Sequence, residues 1–422
     1  MATEPPAFQS VYNEGPYCGL PSYPGITGKT AIVVGANGIS GQYMLRLLAK
    51  YPERWTKIYA LSRRPPQGFN SPQIKHVSVD LLAGVDSIQQ VLETENVSGD
   101  YVFFFAYKES PSDDGKLWGG QEQMVIDNSK MLRDLILALR ERPFKRLVLQ
   151  TGAKHYGIHI GPTVLPCKED DPLVLTIPNF YYQQEDILKE LGPKQNFDWS
   201  VVRPSHIVGA VKGNFMNIAI AVGLYIVISR ELGDPVSFYG TRSKYLGVET
   251  FSSAYLNSTL SEYCALTPSC SNQAFNAANG DMPTWSRLLP TVATYFSAPM
   301  ADDSVLDQPG FSPFKQVSNL PAPRNPNEHG IFELRTSLAE WAKQDRVKAA
   351  WDQLAERQGL DKEVFSSASW AFADGVASFQ HELMLDMNKA RIFGFHGTVD
   401  STADFLEVLK TAQELNFLPK TS

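Results

Sequence analysis

The first half of the chain alternates between two hydrophobic periods. Short runs are almost wholly apolar or β-branched: "TAIVVG" (30–35), "KIYALS" (57–62), "HVSVD" (76–80), "DYVFFFA" (100–106), "RLVLQTG" (146–152) and "WSVVRP" (199–204). Between them, "QYMLRLLAKY" and "NSKMLRDLILALR" carry apolar residues at helical spacing. Unbroken apolar runs read as strands buried on both faces, and their alternation with helices predicts a parallel sheet covered on both sides. The expected fold class is α/β, a Rossmann-type doubly wound parallel sheet. It spans 27–205 and follows an N-terminal extension, 1–26. A smaller, mostly helical substrate-binding lobe, 206–422, can return strands to the main sheet.

The second half is less regular. "FMNIAIAVGLYIVIS" (215–229) is apolar on every side, yet shorter than the roughly 20 residues a membrane span needs. It reads as a buried core helix that ends at Glu231 and Gly233-Asp234-Pro235. "QAFNAA" (273–278) reads as a strand, and 336–358 and 403–415 read as helices. Prolines 309, 313, 321, 323 and 326 mark 301–330 as an extended surface connection.

Composition narrows the function. With 422 residues there is enough chain for a large core and two lobes. The net charge of −7 argues against a general nucleic-acid binder. The four cysteines (18, 167, 264 and 270) include no CxxC pair, so neither a zinc site nor a disulfide framework is indicated. The N-terminus lacks the basic start and apolar run of a signal peptide. A cytoplasmic setting is expected.

The chemistry begins after the first strand. "VVGANGISGQYMLRLL" places Gly35, Gly38 and Gly41 between a strand and an amphipathic helix. Glycines permit a tight turn and close approach to a pyrophosphate, and the helix N-terminus favours the anion. A strand–helix turn with no ligand is the plain alternative. The second strand ends in Arg63-Arg64, where an NAD site wants an acid. Two guanidiniums suit a 2′-phosphate, so NADPH/NADP+ is expected rather than NAD; solvated surface arginines are the alternative. Asp80, ending the third strand, can accept from the adenine amino group.

"NFYYQQEDIL" (179–188) heads a helix with two tyrosines, but the residue one turn on is Glu185 or Asp186, not lysine. Lys154 lies just past the fifth strand, at the carboxyl edge where ligands bind in this fold. It can therefore meet Tyr181 across the rim. Tyr182 reads as a packing residue, because neighbouring helix positions face different ways. Glu185 and Asp186 read as charges that favour the helix N-terminus. His155 and His159 have HxxxH spacing, but two glycines and a proline make "KHYGIHIGP" a loop, so no metal site is expected. Ser129 and Ser205 sit in no GxSxG elbow. "YVFFFAY" reads mostly as buried strand, with Tyr107 the pocket candidate at its end.

The segments "SRR" (62–64), "QTGAKHYG" (150–157), "NFYYQQEDIL", "WSVVRPSHIVG" (199–209) and "AFNAANGD" (274–281) resemble the progesterone 5β-reductase and iridoid synthase family of atypical short-chain dehydrogenases. The resemblance runs from about residue 30 to the end. It implies NADPH-dependent reduction of the carbon–carbon double bond of enones and enals. It puts the catalytic lysine and tyrosine on Lys154 and Tyr181. It puts the cofactor positions on Asn37-Gly38-Ile39, Arg63-Arg64, Asp80-Leu81, Ala106-Tyr107, Gln150, Pro204, Ile207 and Asn214-Phe215-Met216. Three departures leave the natural substrate open. Ala106-Tyr107 stands where plant members tend to carry Thr-Trp. Pro204-Ser205-His206 replaces Pro-Gly-Asn. Residues 301–330 match poorly.

On this reading Tyr181 donates to the carbonyl oxygen that gains charge. Lys154 either lowers the tyrosine pKa or holds the cofactor. The substrate is a small apolar enone or enal, in a pocket built by the 215–229 helix and aromatics between 365 and 379. Two alternatives stand: carbonyl–alcohol oxidoreduction or epimerisation on the same scaffold, and a dinucleotide-sensing regulator without turnover. Fold alone does not separate them. Oligomeric state is open, a homodimer included.

Overall fold

A computed structural model describes residues 10–66, 68, 71–110, 121–302, 314–322, 325–379 and 381–421, with backbone alone over 314–333. Seven strands form one parallel sheet: β1 (Lys29–Val34), β2 (Trp55–Ser62), β3 (Ile74–Ser78), β4 (Tyr101–Phe104), β5 (Arg146–Gln150), β6 (Asp198–Pro204) and β7 (Gln273–Ala277). The spatial order is β7-β6-β5-β4-β1-β2-β3. Winding reverses between β1 and β4, which opens a crevice at their carboxyl ends. All seven expected strands form, and β7 reaches back from the second half to pair with β6.

Strand alternation divides the core. Ala31 and Val33 face one side of β1, with Leu45 and Leu48 of α1 (Ile39–Ala49) in the same cluster. Ile32 and Val34 face the other, with α2 (Val85–Thr94), α3 (Gln121–Ala138) and α4 (Phe180–Gln195). A residue-by-residue switch of face is the period of a strand, so both covers bury apolar surface.

The 215–229 segment is a buried core helix, as expected. It is α5 (Ile218–Leu232), covered on all sides from Ile218 to Ser229. Asn217 caps its start and Gly233, at φ 72°, ends it in the left-handed conformation. No helix among the described residues is long and apolar enough to cross a membrane. After β6 the chain makes a short parallel pair, His206–Val208 with Phe251–Ser253, then α6 (Ala254–Leu266), which packs beside α1.

Three expectations need correction. Part of the N-terminal extension is structured: Ser10–Glu14 and Tyr17–Ser22 form an antiparallel hairpin that Thr398–Val399 extends. Its polar composition concealed Leu20 and Tyr23, which are buried in the main core. The proline-rich connection is a second antiparallel hairpin, Phe314–Ala322 with Asn325–Leu334. In a two-stranded hairpin each strand has a free edge where proline's missing N–H is harmless, and the register shifts at Pro321. Pro309, Pro313 and Pro323 lie outside the described residues. Finally, the helix expected over 336–358 is two: Leu338–Trp341 and α7 (Asp345–Gln358). Beyond them lie α8 (Trp370–Ser378) and α9 (Ser401–Glu414).

Candidate active site

The glycine turn joins β1 to α1. A Cβ on Gly35 would sit 2.7 Å from the Ala106 nitrogen, and Gly35 has φ +82°. A Cβ on Gly41 would sit 2.3 Å from the Gly35 oxygen. Packing of the chain on itself therefore requires both glycines. Gly38 differs: a Cβ there would meet only the Gly35 oxygen at 3.5 Å and the Asn214 Oδ1 at 3.8 Å. The protein has room for a side chain at Gly38, and the space lies in the wall of a cavity. Asn214 accepts from the Ile39 N–H at 3.0 Å, clamping the start of α1 to the second half of the chain.

At the far end of the crevice, Arg63 and Arg64 have exposed side chains. Their backbone is fixed: the Arg64 carbonyl accepts from Ser62 Oγ at 2.7 Å and from Asn37 Nδ2, and the Arg63 carbonyl accepts from Ser78 Oγ at 3.2 Å. Asp80 uses one carboxylate oxygen on the Leu82 N–H, at 3.0 Å. These residues, with Leu81, line the carboxyl ends of β2 and β3.

The cavity beside the turn has a volume of about 150 Å³. Gly38, Ile39, Tyr107, Gln150 and Lys154 line it, as do Tyr181, Pro204, Ile207, Asn214, Phe215 and Met216. Gly35, Asn37, Gly41, Arg63, Arg64, Asp80, Leu81 and Ala106 do not line it; they build or flank the turn and the outer crevice. Phe372, Val376 and Phe379 of α8 and its end complete an apolar wall, within the aromatic stretch expected to form the pocket. Four buried polar atoms of lining residues, Gln150 Oε1, Thr151 Oγ1, His159 Nδ1 and His206 Nδ1, have no hydrogen-bond partner among the described residues. Buried polar atoms are seldom left so unless a ligand or water completes them. With the open space at Gly38 they fit a polar ligand such as part of a nicotinamide dinucleotide. An outer groove of about 840 Å³ shares Phe215 and Phe372 with the cavity.

The structure brings Lys154 and Tyr181 to one cavity. Lys154 lies in a turn of 3₁₀ helix, Ala153–Tyr156, directly after β5. Tyr181 is the second residue of α4, only 8 % exposed, and its phenol lies over Gly152, where a Cβ would stand 3.2 Å from the hydroxyl. Asn179, which sequence reasoning passed over, joins the two. Its Oδ1 caps α4 by accepting from the Tyr181 N–H at 3.1 Å, and its Nδ2 donates to the Lys154 carbonyl at 3.0 Å. An asparagine just before a helix is a legible cap signal.

The electrostatics bear on the two roles left open for Lys154. A lowered tyrosine pKa is not what the site shows. Instead, burial pushes the Tyr181 pKa up, and the negative charge of Glu109 adds to the rise. Burial likewise pulls Lys154 well below the usual lysine range, with Glu109 drawing it partly back. Desolvation disfavours either charge and outweighs their mutual attraction. Glu109 also accepts a hydrogen bond from the Tyr107 hydroxyl. Its part was not legible, since it lies beyond the end of a strand read only as buried.

Other candidates resolve into structure. The Tyr182 hydroxyl accepts from Val174 N at 3.1 Å and donates to the His155 carbonyl at 2.7 Å, so it is a packing tie. Glu185 is not a helix-dipole charge. It is buried in α4 and accepts two bonds from Arg203, at 2.8 and 3.1 Å. Asp186 pairs with Lys189. Both lie beyond the first helical turn, where the dipole no longer acts strongly. His155 is buried against Tyr156 and Tyr182, and burial, with Arg203 and Lys189, holds its pKa near 2. His159 lines the cavity, and burial, with Lys154, holds it near 3.

Comparison with known proteins places this architecture. Residues 31–313 match the family model of the PRISE-like Rossmann-fold domain. An uncharacterised Schizosaccharomyces pombe protein is 32% identical, over 93% of this chain and 99% of its own. A 3-oxo-Delta(4,5)-steroid 5-beta-reductase of Arabidopsis thaliana is 27% identical, over 92% and 93%. An (S)-8-oxocitronellyl enol synthase of Catharanthus roseus is 26% identical, over 92% of each chain. Among solved structures, a UDP-glucose 4-epimerase of Thermotoga maritima superposes with a TM-score of 0.57 at 13% identity, covering 91% of this chain and 99% of that one.

Proposed function

This chain belongs to the PRISE-like Rossmann-fold family, related to reductases of the short-chain dehydrogenase type, and from that premise we propose that it reduces the C=C bond of an α,β-unsaturated carbonyl compound with NADPH. The observation that carries the proposal is the buried phenol of Tyr181, set over Gly152 in the cavity that Lys154 also lines. Burial and Glu109 keep its phenol protonated well above the usual tyrosine range. A phenol so held is a hydrogen-bond donor and a poor general base. Enone reduction needs a donor to the carbonyl oxygen, where charge gathers as the enolate forms. Alcohol oxidation on this scaffold would need a phenolate base, so the oxidative direction of the carbonyl–alcohol alternative is disfavoured.

When bound, NADPH supplies the hydride that reaches the β-carbon. Tyr181 donates to the substrate oxygen and stabilises the enolate by about 3 kcal/mol, the typical worth of one oxyanion donor. The α-carbon then takes a proton. Lys154, its pKa pulled down by burial, would hold the ribose hydroxyls, with Gln150 and Thr151 beside it. Arg63 and Arg64 would take the 2′-phosphate. The names of two relatives, a 3-oxo-Delta(4,5)-steroid reductase and an 8-oxocitronellyl enol synthase, support a conjugated carbonyl as substrate. The apolar wall of Phe215, Phe372 and Phe379 supports a hydrocarbon body. The cysteine pattern supports a cytoplasmic setting.

The test is NADPH oxidation with a panel of enones and enals, NADH as control, on wild type and Tyr181→Phe. The expected result is a saturated carbonyl product, preference for NADPH, and a loss of about 100-fold or more in kcat for the variant. Tight NADPH binding with no product from any enone would sink the proposal and favour a dinucleotide-sensing role.

A further inference from the structure

One cavity-lining residue is polar, buried and unused by the chemistry above. His206 is 8 % exposed and lines the cavity beside Phe372, whose ring lies 6.1 Å away. Behind it stands an ionic pair with no other outlet to the cavity. Glu249, 1 % exposed, lies 2.8 Å from the Lys244 ammonium and accepts from the Trp285 indole N–H at 3.1 Å. Its other oxygen is 3.4 Å from His206 Nδ1. Burial opposes the charge on Glu249, but Lys244 and His206 hold its pKa down to about 2. At 3.4 Å Nδ1 closes no hydrogen bond to Glu249, but the ionised carboxylate favours the ring proton on the nitrogen that faces it. The Nε2 side of the ring can then accept, and its neighbours in the cavity wall are mostly apolar. An unpaired acceptor in an apolar wall is costly unless a ligand completes it.

We propose that His206, oriented by Glu249, is a specificity-determining residue that accepts a hydrogen bond from a hydroxyl group on the body of the substrate. The substrate class follows: a hydroxylated enone or enal, its conjugated carbonyl at Tyr181 and its hydroxyl at Nε2. This deepens the proposed reduction and rests on it.

The test compares a medium-chain enal bearing a hydroxyl at its far end with the methyl ether of the same compound. Wild type should favour the alcohol by about 10-fold or more in kcat/KM, since a site built for a donor rejects the analogue lacking it. His206→Phe should erase the preference, through KM more than kcat. His206→Gln, which keeps an acceptor, should retain part of it. A purely structural role would lower both substrates together and leave the ratio unchanged. No preference in wild type, or a preference that survives in folded His206→Phe, overturns the proposal. If no enal is reduced, the reaction proposal has failed. The His206 site is then tested by calorimetry of the saturated alcohol and its methyl ether on NADP+-loaded protein. Tighter alcohol binding lost in His206→Phe upholds the site, and equal binding overturns it.

Discussion

Asn179→Ala separates the placing of the two reactive groups from their chemistry. The side chain touches neither substrate nor reacting atoms; it holds the Tyr181 N–H at 3.1 Å and the Lys154 carbonyl at 3.0 Å. Loss of an N-terminal cap costs about 1 kcal/mol, and loss of the second bond about 1 kcal/mol more. Unfolding free energy should fall by about 2 kcal/mol in urea. The kinetic effect has another origin. Tyr181 is the second residue of α4 and Lys154 sits in the turn after β5, so Asn179 ties the turn to the helix start alongside the Tyr182–His155 bond. A displacement of about 1 Å in a catalytic group can cost up to about 100-fold. We expect kcat to fall by about 10- to 100-fold, with the dissociation constant of NADP+ changed less than about 3-fold, because the glycine turn and Arg63-Arg64 are untouched. Asn179→Ser refines the assay: its hydroxyl caps the helix but is too short to reach Lys154. It should recover about 1 kcal/mol of stability and little of the rate. If Asn179→Ala loses the stability yet keeps kcat within about 2-fold of wild type, the positioning argument is wrong.

Two further outcomes follow from other parts of the molecule. Arg63→Ala with Arg64→Ala should cut the preference for NADP+ over NAD+ by about 10- to 100-fold, because each exposed guanidinium–phosphate contact contributes roughly 1 kcal/mol after solvent screening. Calorimetric titration of both dinucleotides reads the ratio, and an unchanged ratio would place the 2′-phosphate elsewhere. Asp404 of α9 accepts from Ser253 at 3.1 Å and from Tyr17 of the N-terminal hairpin, while its Oδ2 has no partner. Burial raises its pKa from 3.8 to about 7. An acid raised on folding favours the fold in its protonated form. That stability is fully present below about pH 4 and is lost as pH climbs towards 7, a change of about 4 kcal/mol. Asp404→Asn cannot ionise, so its stability relative to wild type should grow between pH 5 and pH 8. Parallel pH curves for the two proteins in urea would refute the assignment.

What could be read in the sequence was what depends on local spacing. The strand runs, the glycine turn, Arg63-Arg64 and the tyrosine helix all announce themselves within a few residues. Lys154 was legible because a fixed topology brings the ends of β5 and α4 to one rim. The misreadings share the opposite cause. Glu185 looked like a dipole charge because its partner, Arg203, sits on a strand formed later in the chain. Asn214 clamps Ile39 across 175 positions of sequence. The Lys244–Glu249–His206 line is assembled by the short strand pair that sets His206 against Phe251. No periodicity reports a contact of that kind. The N-terminal hairpin was concealed by its polar surface, although Leu20 and Pro21 in it and Tyr23 just after it are buried.

The electrostatics of the cavity gain their meaning when taken together. Burial lowers the pKa of Lys154 and raises that of Tyr181, and Gln150 and Thr151 keep unpaired atoms. Each is a cost to the empty protein, and a fold selected for stability alone would pair or remove them. All four converge on one cavity beside the only glycine of the turn that the packing does not require. A ligand that supplies an anion near Lys154, polar groups for Gln150 and Thr151, and a carbonyl oxygen for Tyr181 removes each cost in turn. The same disposition explains why the phenol stays a donor. Until substrate arrives, no charge strong enough to ionise it reaches the buried hydroxyl, and Glu109 opposes ionisation. In the proposed reduction, the first appreciable negative charge Tyr181 would meet from a substrate is the one that forms on the carbonyl oxygen, where its hydrogen bond would lower the barrier rather than only tighten binding.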